Sequence, residues 1–458
     1  MAKLPDPQRR LLLKLVSAAS AASLVPFQAA HAAQQALQKA LDWKNWSGNQ
    51  ESHPRTIVYP GTEDALRLEL AKDASPIRCV GGGHSFSPLV PTDGTIINLT
   101  QMFGLKSHDA DALTATFGAG TTLGAASQMA YGVGQSIANE SDINTQSLAG
   151  AISTSTHGTG TKLHSLSHYV KSLRLMTPDG QVHLVDKDSP LFHAARCSLG
   201  ALGVITEITF QNEAAYKLQE TTKVVSIKEA MDYTEKNRHK HRNLEFFAFP
   251  FGDTAILKTM DYTTEPDLNV TQEDDNSTLE MACEVSMHAG WLIPLIQKAL
   301  GMFVSDSVRR APSWEAYPSA RNVRFNEMEY AVAADKGLAV MEEILHGYQK
   351  SDVNVFFPIE YRYCAAEDNW MSQFYKRDSA TISVHQYFKQ DYKPLFSQLE
   401  PIFKRNGGRP HWGKINTFTT AEARAQFEHF DDFVALQKQL DPQGRMLNSY
   451  LKTLFGAA

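Results

Sequence analysis

Three stretches between residues 80 and 160 concentrate glycine. They are VGGGHSFSPLV, from Val80 to Val90; FGAGTTLG, which holds Gly118 and Gly120; and SLAGAISTSTHGTG, from Ser147 to Gly160. Glycine weakens helix and strand interiors, so a chain that clusters it is building turns other residues cannot make. Such turns also let a ligand reach the main chain with no Cβ in the way. Successive exposed N–H groups then form a concave site for anions such as phosphates. Hydroxyls at Ser147, Ser153, Thr154, Ser155 and Thr156 add donors to the third stretch. Any one cluster reads as an ordinary tight turn. Three so close together point to a polyphosphate-bearing cofactor held by strand-to-turn backbones.

The clusters fit neither common nucleotide signature. No GxxxxGK[ST] occurs, and the glycines after Gly118 and Gly120 are misplaced for a GxGxxG fingerprint. The four cysteines, Cys79, Cys197, Cys283 and Cys364, are widely spaced with no CxxC. They read as buried free thiols rather than zinc or iron–sulfur ligands. A net charge of -6, with no Lys/Arg block interleaved with aromatics, speaks against a nucleic-acid partner. At 458 residues and 43% hydrophobic, the chain can build two domains.

The N-terminus carries a different message. Arg9-Arg10 precede LLLK, a small-residue apolar stretch without charge follows from Leu15 to Ala30, and Ala30 and Ala32 flank a histidine in AHA. This reads as a secretory signal of the twin-arginine class, removed near Ala33. That route exports folded proteins, often with a cofactor inserted, so the expected location is the periplasm or the exterior. No later apolar run is long enough to span a bilayer.

Beyond the leader the chain alternates strand and helix patterns. Leu37–Asn49 reads as a short helix and loop. HPRTIVYP, from His53 to Pro60, is a strand, and GTEDALRLELAKDA a helix capped by Thr62, with Glu63 and Asp64 in its first turn. PIRCVGG, running into the glycine loop, GTIINLTQM, the start of ALTATFGAGTTLGAASQMAYGVG, the pair YVKSLRLMTPDGQVHLVD joined at Pro178-Asp179-Gly180, and ALGVITEITFQNE read as strands. A second region from Tyr216 holds a polar, flexible stretch over 263–278, helical patterns near 288–303 and 331–348, and strands at DVNVFFPIEYRYCA and SATISVHQYF. The tail from Thr420 is helical.

VGGGHSFSPLV, FGAGTTLGAASQMAYGVG, DINTQSLAGAISTSTHGTG and LGVITEITF together resemble the vanillyl-alcohol-oxidase-like FAD flavoproteins, and within them the sugar-lactone and alditol oxidases. The resemblance covers nearly the whole mature chain. It implies an α+β architecture: a two-part FAD-binding domain over 33–215, an α/β cap (substrate) domain over 216–415, and a C-terminal segment, 416–458, returning to the FAD domain after a 1–32 leader. The cofactor implied is FAD, bonded covalently through His84, with Gly81, Gly82, Gly83 and Ser85 around it. Gly120 and Thr121 fall in the family's glycine turn. Ser147, Gly150, Ser153, Thr156, His157 and Gly158 would line the pyrophosphate and isoalloxazine face, although His157 reads equally as support for its loop. Gly203 and Ile205 would meet the adenine end. Ser141 falls where a small residue governs the approach of oxygen, with Asp142 beside it.

FFPIEYRY places Glu360 and Arg362 two apart, hence on one face of a strand. By itself that is either a salt bridge on a sheet or a ligand-binding couple. The resemblance makes it the couple that handles the substrate hydroxyl. By the same resemblance His385 in SVHQY is an active-site residue, while Tyr387 departs from the family's threonine. Lys414 in RPHWGKINT would sit near the reactive edge of the flavin, where a cation stabilises developing negative charge. Glu327 and Glu329 in FNEMEYAV are pocket or sheet-edge candidates ranked below Glu360, because their partner cations are not evident. The implied activity is oxidation of an alcohol group of a sugar lactone or polyol, with O2 as the electron acceptor. Alternatives are a dehydrogenase feeding a quinone or cytochrome, oxidation of another primary alcohol such as a nucleoside, and a secreted polyol-binding protein with no redox role.

Overall fold

The computed structural model describes residues 42–268, 275–303, 306–319 and 322–457. The expected leader and the first residues of the expected Leu37–Asn49 helix lie outside these. Within them, Trp43–Lys44 is a short strand paired with Glu51–Ser52, not helix.

The first half is built on two small sheets. Strands β1 (Thr56–Val58), β2 (Ile77–Val80) and β3 (Thr95–Asn98) form a parallel sheet in the order β1-β3-β2. Helix α1 (Glu63–Ala71) makes the crossover between β1 and β2. Thr62 Oγ1 accepts from the Ala65 N–H to cap it, a contact of about 1 kcal/mol. Its Leu66 and Leu70 are buried. The second sheet is antiparallel. It joins β4 (Leu105–Asp109), β5 (Thr114–Gly118), β6 (Val170–Met176), β7 (Val182–Asp186) and β8 (Val204–Gln211) in the order β7-β6-β8-β5-β4. Helices α2 (Leu123–Gly132) and α3 (Leu148–Ser153) start at Thr122 and Ser147, each accepting a backbone N–H at its own N-terminus.

The second half carries an eight-stranded antiparallel sheet. Its members are β9 (Lys217–Val225), β10 (Asn243–Phe249), β11 (Thr254–Thr263), β12 (Ser307–Pro312), β13 (Phe325–Ala333), β14 (Ile359–Cys364), β15 (Ser379–Tyr387) and β16 (Arg409–Pro410). The order is β12-β9-β11-β10-β14-β15-β13-β16. Helices α4 (Ile227–Asn237), α5 (Asp275–His288), α6 (Ile293–Phe303), α7 (Gly337–Gln349) and α8 (Lys393–Arg405) accompany it. The structure corrects three element boundaries. The 263–278 stretch ends β11 at Thr263 and starts α5 at Asp275, with 269–274 outside the described residues. The helical pattern over 331–348 is strand as far as Ala333 and helix from Gly337, because the apolar alternation of FNEMEYAVA extends into it. The pattern near 288–303 begins as a turn at Gly290–Leu292 and becomes α6 only at Ile293.

Helices α9 (Thr420–Gln426), α10 (Phe430–Leu440) and α11 (Ser449–Phe455) close the chain against the first half. The Arg445 carbonyl accepts from the Ile77 N–H at 2.7 Å, extending β2 by one bond. The buried Arg78 side chain donates to the carbonyls of Leu89, Leu199, Gly200 and Met446. Asn448 Nδ2 donates to the carbonyls of Pro88 and Pro91. One apolar core runs through both halves and these last helices. Among the described residues no helix is long and apolar enough to cross a membrane.

Candidate active site

The three glycine clusters meet along one wall of a single large cavity, and the face of the eight-stranded sheet forms the other. Each cluster is glycine for a packing reason. A Cβ on Gly81 would lie 1.8 Å from Ser147 Oγ, and one on Gly82 2.5 Å from the Thr145 carbonyl oxygen. The 81–84 and 145–147 loops are therefore in direct contact. Gly83 adopts φ +68°, a conformation that favours glycine. A Cβ on Gly120 would lie 1.8 Å from the Leu99 carbonyl oxygen.

His84 stands where these loops converge. Its Nε2 lies 2.7 Å from Thr145 Oγ1, and its ring stacks on Trp46 at 5.1 Å. Its Nδ1 is buried with no hydrogen-bond partner among the described residues. Burial, helped by the charge of Lys414, lowers the ring to about 4, so it is neutral at pH 7 with a lone pair available. The same loop is tied to the far wall. Phe86 N–H donates to the Gly413 carbonyl and Ser87 Oγ to the Trp412 carbonyl. Those bonds bring Lys414 beside His84.

The sheet wall follows from strand alternation. On β13, Phe325, Glu327 and Glu329 share the cavity face, and on β14 Glu360 and Arg362 do so. β15 lies between them, with small Thr381 and Ser383 opposite Arg362 and Glu329 and with His385 opposite Glu327. Long side chains from the outer two strands can therefore meet over the middle one. Arg362 Nη2 lies 3.0 Å from Glu329 Oε2 and 3.1 Å from Glu360 Oε2. Glu329 Oε1 also meets His157 Nε2 at 2.7 Å, and His157 Nδ1 donates to the Gly158 carbonyl. Lys414 Nζ is bonded to Glu327, whose other oxygen is 3.7 Å from His385 Nε2. His385 Nδ1 donates to the Pro358 carbonyl at 3.0 Å, which leaves Nε2 directed at the cavity.

These pairings split the carboxylates into two kinds. Burial alone would raise all of them. At Glu329 the charges of Arg362 and His157 outweigh burial and hold the carboxyl well below its usual range. At Glu327, Lys414 and His385 do the same to a smaller degree. At Glu360 burial wins over Arg362, and Asp142 and Glu245 add to it, so the carboxyl is pushed up to about 8. Two ionised carboxylates thus hold the site's cations, while a third is poised to exchange a proton near neutral pH. Glu327, Glu360 and His385 are close enough to share a metal ion. Both carboxylates are already matched by Lys414 and Arg362, so the set is complete without one.

Eighteen of the twenty residues singled out from the sequence line this cavity: Gly81, Gly82, Gly83, His84, Ser85, Gly120, Ser141, Ser147, Gly150, Ser153, Thr156, His157, Gly203, Ile205, Glu360, Arg362, His385 and Lys414. Two do not. Thr121 Oγ1 turns inward to donate to the Gly118 carbonyl and accept from Gly104 N–H, and Thr122 lines the cavity in its place. Gly158 is pressed against the Glu140 carbonyl oxygen, where a Cβ would lie at 2.1 Å. Tyr387 also lies beyond the cavity wall, its hydroxyl donating to Glu284 at 2.6 Å. The ranking of Glu327 and Glu329 below Glu360 is corrected: their cations are Lys414 and Arg362. The E-x-E spacing carried that signal, since it mirrors E-x-R on a strand of the same sheet. His411, in RPHWGKINT, also lines the cavity, its ring lowered to about 3 by burial.

The residues fit a flavin nucleotide. The glycine wall carries only small side chains, and His84, which lines the cavity, has an Nδ1 buried without a hydrogen-bond partner among the described residues. Residues 54–186 match the FAD binding domain family. The backbone superposes on cholesterol oxidase from B. sterolicum with a TM-score of 0.78 at 16% identity, over 91% of this chain and 96% of that one. The mixed α/β, two-domain architecture is thus shared with that oxidase. The protein is an FAD-dependent oxidoreductase acting on a CH–OH group.

Its subgroup follows from the second half. Residues 208–454 match the D-arabinono-1,4-lactone oxidase family, and the chain belongs to that family. It is 32% identical to L-gulono-1,4-lactone dehydrogenase of Mycobacterium tuberculosis over 425 residues, covering 90% of this chain and 99% of the relative. It is 27% identical to L-gulonolactone oxidase of Bos taurus over 436 residues, covering 91% and 99%.

Proposed function

We propose that the protein oxidises an alcohol carbon of a sugar 1,4-lactone or a related polyol, that its FAD is bonded to His84, and that O2 is its electron acceptor. The observation that carries this reading is the pair of buried counter-ion couples, Lys414–Glu327 and Arg362–Glu329, facing the glycine wall beside a carboxyl raised to about 8. Bound FAD would supply the hydride acceptor.

The protein's own groups do the rest. Arg362, on the cavity wall, binds an oxygen of the substrate and fixes its orientation. Glu360, or His385 through its cavity-facing Nε2, takes the hydroxyl proton as the C–H bond breaks. Lys414 supplies positive charge where negative charge accumulates on the cofactor side. Asp142, whose Oδ1 accepts from Ser319 Oγ at 2.9 Å, forms the polar end of the pocket and favours a polyhydroxylated substrate over a phenol. His84 supports the covalent link through its neutral, unpartnered Nδ1, which needs a lone pair to form a bond to carbon. Ser141, with its Oγ turned back to the Ile143 carbonyl, leaves the approach to the cofactor open for O2.

The twin-arginine leader falls on residues 1–32, outside the described residues, and export to the periplasm belongs to this proposal. A dehydrogenase of the same fold is the second reading, favoured by the mycobacterial relative's name. The test is anaerobic addition of L-gulono-1,4-lactone and of alditols to the purified protein, followed by air or a quinone. Bleaching of the flavin band by a lactone or alditol, with recovery in air and hydrogen peroxide formed, supports the proposal. Recovery only with the quinone replaces oxidase by dehydrogenase. A band that no lactone or polyol bleaches defeats the substrate class.

A further inference from the structure

We propose that Glu329 is a positioning residue of this site, aiming the Arg362 guanidinium across the sheet and tying it, through His157, to the loop that cradles the cofactor. The inference rests on the functional reading above. Its ground is the strand register. Arg362 and Glu329 sit on β14 and β13, which never touch, because β15 runs between them. Thr381 and Ser383 of β15, opposite Arg362 and Glu329, are too short to block the path. The Arg362–Glu329 bond therefore spans two strand spacings and sets the direction of the guanidinium.

Glu329 is used at both ends. Oε2 takes Arg362 Nη2 at 3.0 Å and Oε1 takes His157 Nε2 at 2.7 Å, and its side chain is 1% exposed. His157 cannot turn away, since its Nδ1 is held by the Gly158 carbonyl and its ring packs edge-on against Phe374. One carboxylate thus joins a residue of the 147–160 loop to a cation of the substrate wall. Nη2 is shared between Glu329 and Glu360, so the guanidinium is held from two sides. Lys414 has its counterpart in Glu327, whose ion partners are Lys414 and His385.

The arrangement predicts two separable effects. Removing the charge exposes the flavin to more net positive potential and favours its reduced form. Shortening the side chain keeps the charge but releases the aim of Arg362. The test uses the flavin-loaded protein with L-gulono-1,4-lactone as probe, and measures the flavin midpoint potential by anaerobic dye titration together with kcat and KM. Glu329→Gln should lower kcat at least about tenfold with KM within about twofold, because an orienting contact is lost rather than a uniform binding one. It should also raise the reduced-to-oxidised ratio at the wild-type midpoint severalfold. Glu329→Asp should keep the wild-type midpoint and still lose kcat. Unchanged kcat in either variant, or an unchanged midpoint in Glu329→Gln, overturns the inference. The dye titration needs no substrate, so it stands even where the lactone fails to bleach the flavin and the substrate reading falls. A wild-type protein without flavin overturns both.

Discussion

At the scale of single residues, two side chains carry most of the chemistry in the proposed reading, His84 and Glu360, and both invite direct substitution. His84 presents a neutral ring with an unpartnered buried Nδ1 at the meeting point of the glycine loops. Acid precipitation of the wild-type protein should leave the yellow colour in the washed pellet. His84→Ala should release all of it to the supernatant while still folding, since the ring's other contacts are one hydrogen bond and one stacked indole. Glu360 is expected to act as a base with a carboxyl near 8. The group is protonated below that value, so kcat/KM should rise with pH and level off above about 8. Glu360→Gln should lower kcat/KM by about 100-fold or more and abolish that rising limb. That His84, Glu360 and Arg362 line one cavity was legible from short motifs. The protonation states were not, because they depend on which cation faces which carboxylate. Nothing in FNEMEYAV says that Lys414, 87 residues downstream of Glu327, will be its partner.

At the scale of elements, the strand patterns were plain wherever side chains alternate and the sheet is half-buried. They failed at the strand-to-helix boundary Ala333–Gly337, where the apolar run Tyr330–Ala334 suits a strand and a helix alike. Turn glycines were legible as a class, but their reasons were not. Gly83 is there for its positive φ, Gly81 and Gly82 because two loops touch, and Gly120 because its backbone lies on Leu99. Gly120→Ala separates these cases. Its Cβ would meet the Leu99 carbonyl oxygen at 1.8 Å and carbon at 2.4 Å, both main-chain atoms that cannot rotate aside. The turn between β5 and α2 must shift, at a cost of about 1–3 kcal/mol. Thermal unfolding should show that loss, and flavin content after purification should fall with it. A variant that keeps full flavin content would mean the turn has slack that the packing does not show.

At the scale of the whole molecule, the buried acids make stability depend on pH. Glu140 is 3% exposed, has no hydrogen-bond partner at either oxygen among the described residues, and is raised by burial to about 8. Its carboxyl holds a proton in the folded state at pH values where the unfolded chain has lost it. Its contribution to stability is complete below about 4.5 and is lost as pH rises towards 8. Glu140→Gln is neutral throughout, so unfolding at pH 9 should show the variant more stable than wild type by about 2–5 kcal/mol, with the gap closing near pH 5. An equal gap at both pH values would mean that the carboxyl is not buried in the unpaired state seen here. The mixed α/β architecture was legible in outline because each of the three main sheets is continuous in sequence. The return of the last helices to β2 was not, because it rests on main-chain carbonyls that no motif marks. That return has a consequence for how the protein is made. The strand leading to His84 gains its outer bond only from the Arg445 carbonyl, and Arg78 its last acceptor only from Met446. A chain still being synthesised lacks both acceptors until Met446 has emerged, so a nascent chain stalled before Arg445 is expected to hold its flavin less firmly than the full one.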